Sequence, residues 1–185
     1  MLVCSACHAQ STYVGWNVSR PEFNQVETTL SGPLIGWNYA LHDDKSTFAE
    51  LGYQRNGADS LQLSSIRSGL LGPTISAGQL DLRGRMDFGY SVARFVLFEN
   101  SNSLFSFGLS IQPTLHLTDD LALTGLIGYR FYYDQTRKRR CADGSHADGE
   151  GAATCLDHGG IEEDYPDRIG DAHGPEFTIG ILYRH

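Results

Sequence analysis

Hydrophobic and polar residues alternate along most of this chain, and the repeat is two residues. Between 104 and 117, every second residue from Phe105 to Leu117 is apolar, and the residues between them are Ser, Gly, Gln, Thr and His. The segments 80–90 and 121–133 repeat the pattern, and Tyr and Phe gather at the end of the second. Side chains of a β-strand point alternately to opposite faces, so this period predicts strands rather than helices.

The alternation predicts one domain of eight strands. They cover residues 12–20, 32–41, 46–55, 60–70, 75–98, 103–117, 120–134 and 174–185. Gly72-Pro73 is expected to end the fourth strand, and Pro113 to cause a bulge or weak pairing. The alternation of the last strand continues to the end of the sequence, and an unpaired strand is an aggregation edge, so we expect it to pair with the first strand. The predicted fold is all-β: a closed antiparallel up-and-down β-barrel.

Strand length and composition favour a barrel that spans a membrane. About fourteen alternating residues exceed an ordinary strand and suit a tilted membrane-spanning one. No window approaches 18 consecutive apolar residues, so no transmembrane helix is predicted. The 21 glycines and 18 Phe and Tyr residues suit a curved sheet. The net charge of −8 and pI near 5.2 argue against a nucleic-acid partner.

Charged residues occupy one face of the fifth predicted strand, where they alternate with apolar or glycine residues between positions 80 and 88. In a small barrel this face points inward, and buried charges need partners of opposite sign. Glu50 and Arg130 are candidate partners on other strands. The predicted interior charge network therefore comprises Glu50, Asp81, Arg83, Arg85, Asp87 and Arg130. The alternative is a solvated outer face, as in a soluble sandwich.

Residues 135–173 form a long polar segment, which we expect to be an external loop of the barrel. In an oxidising compartment, Cys141 and Cys155 are expected to form a disulfide within it. The run "RKRR" at 137–140 reads as part of the solvated loop rather than as a nucleic-acid patch. The loop's histidines and acids leave a cation site open as an alternative, but their spacing matches no metal motif. We predict no metal, no cofactor and no catalytic residue.

The first residues contain Cys4, Cys7 and His8 in a C-x-x-C-H pattern. That pattern attaches haem covalently in some proteins, when a second axial ligand is available. The favoured interpretation is that residues 1–9 are the remnant of a secretory signal peptide, with Ala9 as its last residue. A haem site and an unstructured tail remain as alternatives. The barrel domain is then expected to span 10–185.

Two stretches resemble a known family. "FAELGYQRNGA" at 48–58, followed by "LQLSSIRSGLLGP" at 61–73, is similar to small outer-membrane β-barrels of the PorT-like kind found in Bacteroidota, with an architecture like that of OmpX. The last segment, "TIGILYRH", resembles the assembly signal of such barrels through Gly180, Tyr183 and His185, although Phe is usual where His185 stands. The resemblance implies a membrane barrel in the bacterial cell envelope, with outer-membrane lipid and the barrel-insertion machinery as partners. It implies no particular activity.

Three hypotheses for function follow. The leading one is a non-enzymatic integral outer-membrane protein without an open pore, because eight strands enclose an interior that side chains just fill. Its interactions would then belong to the loops, with a surface or periplasmic partner that the sequence does not identify. The second is an outer-membrane lipid-modifying enzyme, for which His116 lies near Thr118 and Asp119 without a convincing nucleophile. The third is a soluble, lipocalin-like binding barrel.

Overall fold

The structure, a computed structural model, describes residues 10–23, 26–42, 45–57, 60–95, 101–135, 140–143, 152–163 and 170–185. Eight long strands within these residues form one closed antiparallel barrel. The strands are β1 Ser11–Ser19, β2 Leu30–His42, β3 Lys45–Asn56, β4 Leu61–Ala77, β5 Leu80–Phe95, β6 Ser101–His116, β7 Leu121–Asp134 and β8 Ala172–Arg184. The predicted fold class and strand number are confirmed.

The barrel closes between its first and last strands, as the alternation of the final segment predicted. Each strand pairs with its neighbours in sequence, and β1 pairs with β8 from Ser11 opposite Arg184 to Ser19 opposite Glu176. Gln10 and His185 therefore meet at one end of the barrel, which we call the terminus end, and the opposite end is the loop end. Connections at the terminus end are short, at 43–44, 78–79 and 117–120, whereas the loop end carries 20–29, 57–60, 96–100 and 135–171.

The two faces of the barrel wall differ in polarity. Large apolar side chains point outward on every strand, including Ile66 (56% exposed), Ile127 (58%) and Ile179 (62%). The alternate residues of the same strands point inward and are largely polar, glycine or charged. The faces assigned from the alternation are therefore the ones observed.

The boundary between β4 and β5 differs from the prediction. Gly72-Pro73 does not end β4, which continues to Ala77, and the turn lies at Gly78, whose φ is 65°. Leu71 pairs with Arg85 and Thr74 with Arg83, so β4 carries one more residue than β5 at this point. Pro73 sits in that β-bulge, where the ladder is interrupted and no backbone donor is needed. The expected fifth strand of 75–98 was therefore too long at its start.

Pro113 interrupts pairing without shifting it. Ile111 pairs with Ile127 and Thr114 with Thr124, so the β6–β7 register is the same on both sides of the proline. No pair joins the strands at Gln112 or Pro113. Of the two outcomes expected here, the structure has the weak pairing and not the bulge, because the missing donor removes a ladder bond without adding a residue.

Short strands and a 3₁₀ segment lie at the loop end. Glu22–Phe23 and Val26–Glu27 form a small hairpin that pairs with the start of β8. In the long connection, Arg140–Cys141 pairs with Ile161–Glu163, and a 3₁₀ segment spans Ala152–His158. No helix among the described residues is long and apolar enough to cross a membrane. The N-terminal segment 1–9, with Cys4, Cys7 and His8, lies outside the described residues, so its interpretation as a leader stays a prediction.

The long connection is tethered by a disulfide. Cys141 and Cys155 are bonded, with their Cα atoms 5.5 Å apart, and both residues are fully buried within the loop element. His158 Nδ1 lies 2.7 Å from an Asp143 carboxylate oxygen beside it. These contacts join parts of the connection to each other, not to the barrel.

We expect removal of the disulfide to loosen this connection without destabilising the barrel. Closing a loop of this length stabilises by about 3 kcal/mol in the chain-entropy account, but here that energy acts on a locally folding unit. In Cys141→Ser/Cys155→Ser, the urea midpoint of barrel unfolding should stay at the wild-type value, while cleavage by chymotrypsin at Leu156 in the 3₁₀ segment should accelerate at least about tenfold. A drop of more than about 1 kcal/mol in barrel stability would show that the loop and the barrel unfold together.

Candidate functional site

Six charged side chains form a closed ring inside the barrel. They come from five strands and alternate in sign around the ring, and all are at most 4% exposed. In order around the ring they are Glu50, Arg85, Asp87, Arg130, Glu176 and Arg67. We call these six residues the charge ring. Three arginines balance three carboxylates, so the buried set carries no formal net charge.

Each charge in the ring contacts two of opposite sign. Arg130 is the most extensively bonded: Nη1 and Nη2 donate to Asp87 at 2.7 and 3.2 Å, and Nε donates to Glu176 at 2.7 Å. On the other side, Arg85 Nη2 donates to Glu50 at 2.9 Å. Arg67 forms an ion pair with Glu50, at 3.2 Å, and donates a hydrogen bond to Glu176. Pairing of this kind offsets much of the cost of burying six charges.

Neutral side chains add further hydrogen bonds to the ring. Tyr13 donates its hydroxyl hydrogen to Glu50 and accepts a 3.1 Å bond from Arg85. Asn17 donates its amide to Glu176. The Arg85 guanidinium also stacks on the Phe48 ring, 3.6 Å from its centroid, as a cation–π contact. These contacts link the charge ring to β1 and β3 as well as to its own members.

The interior is filled on both sides of the charge ring. Toward the loop end lies an apolar cluster of Phe23, Leu30, Leu61, Leu63, Ala93, Leu104, Tyr132 and Ala172. Toward the terminus end lies a second cluster of Tyr13, Leu34, Ala122 and Leu182. A cavity beside the ring, lined in part by Tyr13, Glu50 and Arg85, has a volume of about 10 Å³. That is roughly the space of one water molecule.

Two of the predicted network residues lie elsewhere. Asp81 and Arg83 share the inward face of β5, yet they sit near the turn at Gly78, in a polar vestibule of about 340 Å³ at the terminus end. Arg83 Nε donates to Thr74 Oγ1 at 2.6 Å, and Asp81 accepts bonds from Ser76 Oγ at 2.6 Å and His116 Nε2 at 2.7 Å. The structure therefore places Asp81 and Arg83 apart from the six buried charges, because this end of the inward face opens into the vestibule.

Two members of the ring were missed from the sequence. Arg67 lies in a segment with weak alternation, and Glu176 follows a proline close to the start of β8. Strict alternation predicts that both side chains point inward, because the residues on either side of each point outward. Glu50, Arg85, Asp87 and Arg130 occupy the interior as the sequence indicated.

The side chains around His116 are hydrogen-bonded in an order that does not suit nucleophilic catalysis. A nucleophile needs its hydroxyl on the histidine, with the acid on the far side of the ring. Here Asp81 lies between Ser76 and His116, so the Ser76 hydroxyl donates to the acid. Thr118 Oγ1 accepts the Leu121 backbone N–H and serves the turn. In the part of the chain that the structure describes, no group of three or more His, Cys, Asp or Glu side chains is placed to hold a metal ion.

The residues of the expected assembly signal lie on β8. Gly180 pairs with Gly15, and a Cβ at position 180 would lie 2.5 Å from the Val14 carbonyl oxygen, so the close approach of β1 requires glycine. Tyr183 points outward and packs edge-on against the His185 ring at 5.3 Å. His185 Nε2 lies 2.9 Å from Thr12 Oγ1 on β1. Recognition by the insertion machinery stays a prediction.

Comparison with known proteins finds likeness in structure. No protein-family profile and no curated protein sequence matches the chain. Among solved structures, neisserial surface protein A, NspA, aligns with a TM-score of 0.61 at 10% identity, over 95% of this chain and 96% of that one. Ail, the attachment invasion locus protein of Yersinia pestis, aligns with a TM-score of 0.49 at 12% identity, over 95% and 97%. A major outer membrane protein from Thermus thermophilus aligns with a TM-score of 0.47 at 9% identity, over 95% and 99%.

The likeness to NspA is one of fold, over nearly the whole of both chains. The chain thus has the architecture of small eight-stranded outer-membrane barrels, as its resemblance implied. The narrower PorT-like and OmpX-like labels stay predictions.

Proposed function

We propose that this chain is an integral outer-membrane protein whose barrel is closed to solutes and whose interactions are made by its loop end. The observation that carries the proposal is the charge ring between two apolar clusters, inside a wall whose outer face is apolar. A barrel filled in this way leaves no channel for solutes, and its role is then to hold the loops in place.

The wall supports the membrane placement. A lipid-facing barrel surface alternates apolar-out with polar-in, and its periplasmic turns are short while its external loops are long. Here the terminus end carries connections of two to four residues, and the loop end carries the hairpin and the long connection. The terminus end is therefore assigned to the periplasm and the loop end to the cell surface.

The loop end supports a role in contact with other molecules. The disulfide joins Cys141 to Cys155, and so holds the described segments 140–143 and 152–163 against each other. Leu156, next to the disulfide, is 72% exposed. A large apolar side chain displayed on a tethered loop is a ready contact for a surface partner.

The two alternative functions, a lipid-modifying enzyme and a lipocalin-like binding barrel, receive less support. In an enzyme acting on lipid A or phospholipid, the serine near His116 would have to reach the imidazole, whereas Ser76 is bonded to Asp81. A lipocalin-like barrel keeps a ligand in an apolar interior under a polar surface. This barrel has six charged side chains buried inside, and the large apolar residues Ile66, Ile127 and Ile179 are exposed outside.

We expect the purified, refolded protein to produce no conductance steps of general-porin size in planar bilayers, because the charge ring and its flanking clusters fill the lumen. A general porin in the same bilayers is the positive control. Porin-sized steps from the refolded chain would contradict the closed-barrel proposal.

Membrane placement is tested separately on cells. The protein should fractionate with outer membranes, resist extraction by carbonate, and migrate differently on gels with and without boiling. Protease added to intact cells should cut within residues 135–171 and leave the terminus-end turns untouched. Recovery in the soluble fraction would overturn the placement, and cleavage at the turn 117–120 would reverse the orientation.

A further inference from the structure

The polar vestibule at the terminus end lies on the opposite side of the charge ring from the long connection. Its volume of about 340 Å³ is at the lower end of the range for small-molecule sites. Leu71 and Leu182 are its large apolar lining residues, and Leu182 also belongs to the apolar cluster on this side of the ring. A small molecule that enters from the terminus end is therefore stopped by that cluster.

Two arginines line the vestibule, and neither forms an ion pair with a carboxylate among the described residues. Arg83 donates its Nε hydrogen to Thr74 Oγ1 at 2.6 Å, and Arg184 Nη2 lies 3.3 Å from His116 Nε2. The carboxylate of Asp81 is bonded instead to His116, at 2.7 Å. Guanidinium groups bind carboxylate oxygens through directed, charge-assisted hydrogen bonds. The vestibule therefore has the donors and the charge that an anionic ligand requires.

Two buried amide side chains of the vestibule each have an oxygen that lacks a hydrogen-bond donor. Asn38 and Gln112 are 7% and 5% exposed. Their side-chain nitrogens donate to Ser11 Oγ at 2.9 Å and to Thr124 Oγ1 at 3.2 Å, respectively. Neither side-chain oxygen accepts a hydrogen bond from the part of the chain that the structure describes. An unpaired buried acceptor is destabilising, so the vestibule favours an occupant that supplies hydrogen-bond donors.

The arginines and the amide oxygens require different groups on the same ligand. The arginines bind an anion, whereas the amide oxygens bind N–H or O–H donors. A bare anion such as acetate has only acceptors, and an ammonium ion has only donors. The C-terminal end of a peptide has both, because backbone N–H groups precede its carboxylate. A small apolar side chain on that peptide would contact Leu71 and Leu182, which lie in the same walls.

We propose that the vestibule binds the C-terminal end of a short peptide. Arg83 and Arg184 bind the carboxylate of that peptide. The side-chain oxygens of Asn38 and Gln112 accept hydrogen bonds from its backbone N–H groups. This site lies at the opposite end of the barrel from the loop-end contacts proposed above and does not depend on them. Only the compartment of the ligand, the periplasm, rests on the proposed orientation in the membrane.

The test is equilibrium dialysis of radiolabelled probes against the folded, detergent-solubilised protein. The probes are N-acetyl-trialanine with a free carboxylate, the same peptide as its C-terminal amide, acetate and inorganic phosphate, each measured separately. The free-acid peptide should bind at least about tenfold tighter than each of the others, because it alone joins a carboxylate to backbone N–H donors. Heat-dependent gel migration, measured first on every variant, confirms that the barrel is folded.

Two sets of variants test the two kinds of group. Arg83→Gln/Arg184→Gln should weaken binding of the free-acid peptide at least about tenfold. The matched control, Arg20→Gln/Arg94→Gln, removes the same charge from exposed arginines at the loop end and should bind the peptide within about threefold of the wild type. Gln112→Met removes an acceptor at similar side-chain length, and it should weaken the peptide at least about threefold while leaving acetate unaffected.

Several results would overturn the site. Equal loss in both double arginine variants would assign the effect to overall charge. Equal binding of the free-acid and amide peptides, or no binding of the free acid, would exclude recognition of the carboxylate and leave the amide oxygens to water. Acetate or phosphate bound as tightly as the peptide would assign the vestibule to a simple anion, and unchanged peptide binding by Gln112→Met would remove the acceptor role. Failure to fractionate with outer membranes would contradict the proposed function alone, because the dialysis is done in detergent.

Discussion

Replacing Arg130 by methionine is expected to lower the free energy of unfolding of the barrel by about 3–5 kcal/mol, the cost typical of removing one partner from a buried ion pair. Arg130 is 1% exposed and bonds both Asp87 and Glu176. Without it, two buried carboxylates keep one arginine contact each, and the ring carries a net negative charge. Urea titration in detergent micelles, read by heat-dependent gel migration, measures the loss.

Two further variants separate charge from volume. Arg20→Met makes the same exchange at an exposed arginine and should change stability by less than about 0.5 kcal/mol. Arg130→Met/Glu176→Gln removes one charge of each sign and should recover part of the loss, because the remaining ring is balanced again. If Arg130→Met unfolds within about 1 kcal/mol of the wild type, the charge ring is not a stabilising element of the interior.

Replacing Gly69 by valine is expected to cost about 3 kcal/mol, at the upper end of the range for overpacked positions. A Cβ at Gly69 would lie 2.1 Å from the Met86 carbonyl oxygen and 2.6 Å from the Asp87 Cα. These are backbone atoms of the paired strand β5, so relief requires the strands to separate. The displaced strand also carries Asp87, and the substitution should therefore disturb the charge ring.

Gly84 provides the matched control for this substitution. It lies on β5, and nothing is within 4 Å of the Cβ that a side chain would add. Gly84→Val should leave stability unchanged or raise it slightly, since valine favours extended backbone and restricts the unfolded chain. Equal destabilisation by Gly69→Val and Gly84→Val would show that loss of glycine, not contact with β5, is what matters.

The alternation of residue types was sufficient for most of the fold. Strand number, barrel closure and the outward face of each strand all follow from a period of two, because it is a local property of extended backbone. The end of β4 was misjudged for an equally local reason. Gly72-Pro73 has the composition of a turn, and its place in a bulge depends on the pairing with β5.

Membership of the charge ring could not be predicted from the period of two. Asp81, Arg83, Arg85 and Asp87 are indistinguishable by period, yet only the latter two belong to the ring. The two pairs differ in their position along the barrel axis. That position depends on where the turns lie and on how far each strand is staggered against the next. Glu176 and Arg67 meet although 109 positions separate them in the chain.

Residue order alone therefore separated the two faces of the regularly alternating strands and predicted that the two ends of the sheet join. It did not establish which inward charges meet. Those contacts depend on the register between strands. Register is set by bulges, turn lengths and the packing of glycines against neighbouring backbone, which act between segments remote in sequence.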